Sequence, residues 1–513
     1  MPKSMTRALL ALLVFVGLAF GQGTGVLAGT TGGIQGTVTS ATGSPVANVQ
    51  VSAVAPSYSN KTVTGANGFY ALTSLPPDTY TVTFTATGFN PVSVFGITVN
   101  QDQTVSLNHT LTTEVKTLGK QTVRGTTSLV QPKTTVNQYT VTSQSIQNIT
   151  GTPQNISETA VLNTLPGITT DSAGYPVIRA GAENEEGYQL EGIDATDPLT
   201  GQFINSLSLV GDSRIVVSTG GYDVSNGNTN AGVINSVIKR GAYPGAGQST
   251  ATLNFQNFDH RLAGEWGSAT PDNRFSYFLA FNSIRDYRVY GDRKTFLPRL
   301  VGAVGDETGN QNVMNLFYRW GENNANEIQY FGETGASLFN ENNLINSAIT
   351  PYASNNDEVL ASLGSDIVGA TLLFPGQVGL NQFTNYADHE NNQHSIQKIN
   401  LRRTLTASSY AELRFTRTDE ADNFILPWDG GAFGDEFEHN YSANSGIGFD
   451  YENQLSSKHQ IAFGAETIST KSAYDLGLPS ESVFIFANEF CYVKPLNIAF
   501  CGGDPTVPNP QEF

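Results

Sequence analysis

Two cysteines in 513 residues, Cys491 and Cys501, are too few for a disulfide-stapled scaffold. With no second Cys/His pair at ligand spacing, a structural zinc site is not expected either. In an exported chain these two, ten positions apart, are a candidate for one local disulfide, with a reduced state left open. Positive charge is also short. Lys and Arg number 27 against 45 Asp and Glu, a formal net charge of −18. A nucleic-acid binder wants a basic face, so that class is set aside, while cationic ligands, sugars and protein partners stay open. Beyond the N-terminal region no eighteen apolar residues follow one another, which argues against a membrane-spanning helix there. Metalloprotease, serine-hydrolase, phosphate-loop and dinucleotide motifs are all missing, so no enzymatic activity, cofactor or resident metal is expected.

What is present is glycine (52 residues), aromatics (10%) and many Thr and Asn, with few strong helix formers. That composition reads as mainly β, and 513 residues are too many for one ordinary domain. Lys3 and Arg7 precede an apolar run from Ala8 to Phe20, and Ala19/Gly21 or Val26/Ala28 supply small residues for cleavage. A basic start, a short apolar stretch and such a site make residues 1–28 a secretory signal peptide.

Residues 30–112 carry turn signals about every ten residues, the spacing of a small β-sandwich. Val49, Val51 and Ala53 alternate onto one face, as do Tyr80, Val82, Phe84 and Ala86. Asn67-Gly68 predicts a tight hairpin, and Pro76, Pro77 and Asp78 a turn. Phe69, Tyr70, Tyr80 and Phe89 are expected in core or turn packing, with sugar stacking as the alternative. The succession G-x-V, G-x-P-V, T-x-x-N-G-x-Y, L-P-x-x-x-Y-x-V and G-F resembles the carboxypeptidase regulatory-like domain. The resemblance implies a prealbumin-like sandwich, grouped with carbohydrate-binding-like folds, and leaves its ligand open. Residues 113–150 are rich in Thr, Gln and Ser and read as a linker with some strand content. Within it "EVKTLGKQTVRG" is the best candidate for an extended segment that adds a strand to a partner's sheet, a plain spacer being the alternative.

In residues 151–242 a short helical pattern comes first, with Ile156, Ala160, Leu162 and Leu165 on one face and Ser157 as N-cap. Pro166-Gly167 stops it, and strands follow: "YPVIRAG", "EGYQLEGID", "SRIVVSTGG" and "AGVINSVIKRG". The stretch "LEGIDATDPLTG" gathers Glu191, Asp194 and Asp197. Its spacing fits neither a calcium loop nor a facing pair of catalytic acids, and Glu191-Gly192 suits a two-residue turn in place of the commoner Asp-Gly. L-x-x-L-P-G-I, I-R-x-G, an acid-Gly turn, "RIVVSTGG" and "AGVINSVIKRG", in that order, resemble the plug of TonB-dependent outer-membrane receptors, in particular the Oar-like branch. Ala180 stands where that pattern usually has Gly, and Glu191 where it usually has Asp. The resemblance implies an α/β plug whose motif and gating residues are Pro166, Gly167, Arg179, Glu183, Glu191, Gly192, Asp194, Gly232 and Asn235. Arg179, Glu183 and Glu191 would make polar contacts between plug and barrel wall.

Residues 245–513 alternate apolar with polar. Phe275, Tyr277, Leu279 and Phe281 share a face, as do Met314, Leu316, Tyr318 and Trp320, and Ile461 and Phe463 oppose Gln460. Either a soluble sandwich or a wet-lumen barrel does that; connection lengths separate them. The short links "TPDN", "ENNAN", "TASS" and "LSSK" alternate with long ones at 286–310, 334–394 and 419–444. Short turns at one end and long loops at the other mark a membrane barrel. About nine strands are expected, the first part of a transmembrane β-barrel incomplete at its C-terminus. "YADHENNQH" places Asp388, His389, Glu390 and His394 in an outer loop, read as a solvated polar loop with metal capture as the minor alternative. Phe424, Trp428, Phe433 and Phe437, set among acids, are ligand-loop candidates.

The reading that follows is an outer-membrane receptor with TonB as periplasmic partner, outer-membrane lipid around it, and an unidentified extracellular ligand: a glycan, peptide or chelate. The alternatives are an Oar-like adhesin or secretion-linked barrel, and a soluble carbohydrate-binding β-protein.

Overall fold

A computed structural model describes residues 31–101, 103–113, 138–150, 158–170, 176–181, 185–201, 203, 208–220, 229–254, 259–290, 303–342, 388–406, 408–426, 436–456, 459–477, 484–486 and 489–491. The signal peptide, the "EVKTLGKQTVRG" segment and Glu183 lie outside them.

Eight strands come first: β1 (Gly32–Ser40), β2 (Gln50–Val54), β3 (Ser59–Val63), β4 (Phe69–Leu75), β5 (Asp78–Thr85), β6 (Val92–Val99), β7 (Thr104–Ser106) and β8 (His109–Leu111). One sheet joins β4, β1, β7 and β8, the other runs β3-β2-β5-β6, and together they form a sandwich. Val49, Val51, Ala53, Tyr80, Val82 and Phe84 are fully buried between them, as the alternation requires. Tyr70 and Tyr80 are core too, their hydroxyls donating to Leu107 O (2.7 Å) and Pro76 O (2.8 Å). Sugar stacking on these two rings is therefore excluded. One expectation fails here. Asn67-Gly68 makes a turn, with Gly68 at φ 72°, but not a hairpin, because β3 and β4 lie in opposite sheets. Turn residues fix the local dihedrals; which sheet receives the next strand is decided by packing, here with Val38 N donating to Gly68 O at 2.9 Å.

The second body is a five-stranded sheet ordered β13-β12-β15-β14-β9. Its strands are β9 (Gln138–Thr142), β12 (Glu186–Leu190), β13 (Ile193–Asp194), β14 (Asp212–Ser218) and β15 (Gly232–Ile238); a small ribbon of β10 (Ile168–Thr170) and β11 (Pro176–Ile178) lies beside it. Helices α1 (Ser143–Thr150) and α2 (Glu158–Leu162) flank the sheet. In α2 the buried residues are Glu158, Val161 and Leu162; of the expected face Leu162 is buried and Leu165 packs on the same core, while Ala160 is exposed. Gln138–Thr142 pairs with β14 and belongs to this sheet.

The third body is one antiparallel sheet of nine strands in sequence order: β16 (Ala246–Asn254), β17 (Asp259–Ala269), β18 (Phe275–Tyr290), β19 (Ala303–Trp320), β20 (Asn326–Asn342), β21 (Asp388–Thr406), β22 (Ser409–Leu426), β23 (Glu436–Ser456) and β24 (His459–Gly477). Alternation sorts its faces. Ser276, Phe278, Ala280 and Asn282 of β18 are buried on the face toward the plug, while Phe275, Leu279, Tyr318 and Trp320 are exposed on the other. On β23 the outward Tyr441 and Tyr451 stand ten residues apart, about 33 Å at ~3.3 Å per residue. A strand tilt of ~40° reduces that to about 25 Å, the height of the apolar band of a membrane barrel. The strands β18 to β24 run for 16 to 21 residues, well past the alternating stretches. Asp388–Thr406 is consequently strand, not the outer loop expected for Asp388, His389, Glu390 and His394. Backbone pairing continues beyond the alternating stretches, since the hydrogen-bond ladder needs no apolar alternation. A last ribbon pairs β25 (Phe484–Phe486) with β26 (Glu489–Cys491).

Candidate functional site: the plug turn and the wall

Leu190 pairs with Ile193, so Glu191 and Gly192 alone turn the chain, with φ 53° and 72°. Two successive positive φ values define a type I′ turn, whose twist suits a hairpin and which glycine enters at little cost. The turn is driven against the wall. Glu191 Oε1 accepts from Ile238 N at 2.8 Å, and Oε2 from Gln329 Nε2 of β20 at 2.9 Å. Lys398 of β21 donates to Glu191 O at 2.6 Å and lies 3.4 Å from Oε2. Both side chains are almost completely buried, so each compensates a charge that burial alone would make costly. Behind the turn, Asn235 of β15 accepts from Gly192 N at 3.2 Å and donates to Gln101 of the sandwich. Gln101 in turn donates to Gln189 at 3.3 Å. A polar path thus runs from sandwich through plug to wall.

Three further contacts tie the bodies together. Glu265 of β17 accepts from Gly211 N at 2.9 Å, Lys239 Nζ at 2.7 Å and Gln248 Nε2 at 3.0 Å. Glu327 of β20 receives Arg319 at 2.6 Å, Arg402 at 2.8 Å and Arg240, just past β15, at 3.4 Å. Over Arg319 and Arg402 lies the ring of Tyr58, a sandwich residue, at 5.6 Å and 5.8 Å. Arg214 of β14 reaches Asp78 of the sandwich at 3.6 Å and Val99 O at 3.4 Å. Within the plug, burial lifts the Glu158 carboxyl to about 7, opposed by a bond from Ser236 Oγ at 3.2 Å. Burial raises Asp212 well above the carboxylate range, with the negative charges of Glu158 and Glu333 adding to it.

The other expected residues fall as follows. Gly167 ends the helical segment after Pro166, at φ 79°, and its carbonyl accepts from Arg179 N at 2.7 Å. Arg179 itself is left-handed (φ 52°) and exposed, and its guanidinium lies beside Gly220 of the plug. Of the residues expected to touch the wall, Glu191 is the one whose described contacts do so. Asp194 caps its own loop, accepting from Thr196 N at 3.0 Å, and burial raises its carboxyl. Gly232 sits where a Cβ would meet Ile178 Cδ1 at 2.6 Å and Ser218 O at 2.8 Å, so only glycine lets β11 and β15 close. Phe424 and Phe437 lie on the paired ends of β22 and β23, next to one another in register through Ile425; Trp428, Phe433 and Cys501 are outside the described residues, and Cys491 ends β26. Among the described residues no group of three or more His, Cys, Asp or Glu could hold a metal ion. Lys398, Gln329, Glu327 and its three arginines were not anticipated. Only the inward parity of Glu327, Gln329 and Lys398 on their strands could have pointed to them.

Residues 33–112 match the carboxypeptidase regulatory-like domain. Over 243 residues, 45% of this chain, the sequence is 28% identical to the TonB-dependent transporter Oar of Myxococcus xanthus, of which the match covers 22%. The ferric-catecholate import receptor Fiu of E. coli K12 aligns with a TM-score of 0.45 at 11% identity, over 72% of this chain and 52% of that one. The alcaligin outer membrane receptor FauA of Bordetella pertussis aligns at 0.41 with 13% identity, over 67% and 57%. The chain thus spans 22% of Oar and no more than 57% of either receptor. Residues 33–112 form a carboxypeptidase regulatory-like domain, and over 243 residues the chain is similar to the TonB-dependent transporter Oar.

Proposed function

We propose that this chain carries the sandwich, plug and wall strands of an outer-membrane receptor that takes up a ligand with energy delivered through TonB. The observation that carries the reading is the buried Glu191–Lys398 contact between a separate five-stranded sheet and an amphipathic nine-stranded wall. Apolar residues facing out and polar ones facing in suit a wall with lipid on one side and a wet lumen on the other. Within that lumen a plug held by buried ion pairs and hydrogen bonds has two states available, seated and displaced. The sandwich lies at the short-turn end of the wall, beside the turn at Glu322–Asn324, which is the periplasmic end of such a barrel. The ligand, a glycan, peptide or chelate, would meet the opposite end, with Phe424, Trp428, Phe433 and Phe437 as its candidate contacts from the sequence. No enzymatic step is assigned.

Residues 114–125 supply the strand that pairs with TonB in this reading. In the full-length protein, deleting them is expected to abolish capture by the periplasmic domain of TonB while leaving the protein in the outer-membrane fraction. Retained capture would remove the tether assignment. Recovery in the soluble fraction without detergent would remove the receptor reading itself.

A further inference from the structure

The sandwich does more than precede the plug. Its Gln101 holds Asn235, and Asn235 holds the amide of Gly192, one residue from the carboxylate that carries Lys398. Its Tyr58 covers two of the three arginines gathered on Glu327. Its Asp78 and Val99 receive Arg214 of β14. Each contact is polar or cation–π. The apolar core of the sandwich, from Ile34 to Leu111, includes no plug or wall residue among the described ones. The junction is also imperfectly filled: a cavity of ≈ 380 Å³ opens between Asp78, Arg214, Lys239, Arg240 and Glu265. A domain with its own closed core, attached through polar contacts around a cavity, can leave and return without unfolding.

We propose that the sandwich is an intramolecular latch on the plug: docked, it braces the Glu191–Gly192 turn against the wall through Asn235; undocked, it releases that turn. The latch has two discrete arrangements, and the turn is the element both sides bias. In the receptor reading, on which the gating role of the latch rests, undocking is the step that precedes plug displacement. The docking itself does not depend on that reading.

Hydrogen exchange of the full-length protein in detergent micelles tests it without any ligand. Glu191 N and Gly192 N are bonded in the docked state, to Ser236 O and to Asn235 Oδ1. Gln101→Ala and Tyr58→Ala are each expected to speed exchange at residues 191–193 at least tenfold, with β20 and the sandwich strand β5 unchanged. Tyr58→Phe keeps the ring over Arg319 and Arg402 and should behave as wild type. Should Tyr58→Ala also unprotect β5, the sandwich has unfolded, and Gln101→Ala, outside the sandwich core, decides. Unaltered exchange at 191–193 in Gln101→Ala overturns the latch. A protein that bound no TonB yet showed the tenfold change would lose the receptor reading and keep the latch.

Discussion

Against the wall the plug contributes Leu190, Ile193, Ala195, Val210 and Ile238 to one apolar cluster with Phe278, Val313, Phe331 and Ile396. Against the sandwich it shares no such cluster among the described residues; the contacts there are polar, through Asn100, Gln101, Asp78 and Val99. The two contacts have different physics. Burying a Phe or Ile side chain contributes about 1.5–3 kcal/mol, whereas a hydrogen bond that replaces one to water nets about 0.5–1.5 kcal/mol. The plug–wall contact is therefore the strong one, and its few ion pairs are set inside an apolar frame. The plug–sandwich contact is weaker and open to exchange. In the proposed receptor, a plug that stays seated yet can be displaced is served by one interface of each kind.

Removing one side of the buried wall contact should give the largest effect. Glu191→Ala leaves Lys398 charged and enclosed, and breaking a buried pair this way costs about 3–5 kcal/mol. Urea unfolding of the full-length protein, followed at the plug, should show it. Lys398→Met in the same chain should recover more than half of the loss; no recovery would mean that Glu191 acts through Ile238 N and Gln329 alone.

The next effect is a pH dependence belonging to the plug. Glu158 takes up its proton near pH 7 when folded and near 4.5 when unfolded. The folded plug thus binds the extra proton between those values, and stability falls as pH rises across them. At ~1.4 kcal/mol per pH unit the drop is about 3.5 kcal/mol at most. Melting temperatures of the full-length protein at pH 5, 6, 7 and 8 should decline in wild type and decline less steeply in Glu158→Gln. An equal decline in both would assign the titration elsewhere, Asp212 being the nearest candidate. Smaller again is Gly192→Ala, which puts a Cβ at φ 72° and should cost about 1–2 kcal/mol in the same unfolding experiment. A neutral result would show that the turn is not held in the I′ form.

Much of this was open to reading in the sequence, for a physical reason that also explains the gaps. Alternation is imposed by a surface, so Phe275 and Leu279 outward against Ser276 and Asn282 inward could be sorted without coordinates. Glu191-Gly192 could be read as a turn because φ > 0 at both positions is a local demand. Partners that come from afar leave no such mark. Lys398 is 207 positions from Glu191, and nothing near either residue encodes the other. Asn67-Gly68 misled for the same reason: its turn is local, and the sheet that receives β4 is not. Asp388–Asn392 reads as loop because its residues are all polar and show no alternation, although their backbones pair as well as any.

The smallest effect tests the weak interface on its own terms. Asp78 and Arg214 stand 3.6 Å apart, with 26% and 6% of their side chains exposed. Burial raises the Asp78 carboxyl and lowers Arg214, in each case against the attraction of the other, so desolvation offsets most of what the pair gains. Asp78→Asn keeps an acceptor in place and removes only the charge. The expected loss is under about 1 kcal/mol, read as less than a fivefold rise in exchange at residues 191–193. Raising sodium chloride should narrow the gap between Asp78→Asn and wild type, since salt screens a partly exposed pair and leaves the Gln101–Asn235 bond alone. A tenfold or larger effect would instead place this pair among the buried contacts of the wall, and the division between a strong outer and a weak inner interface would fail at that point.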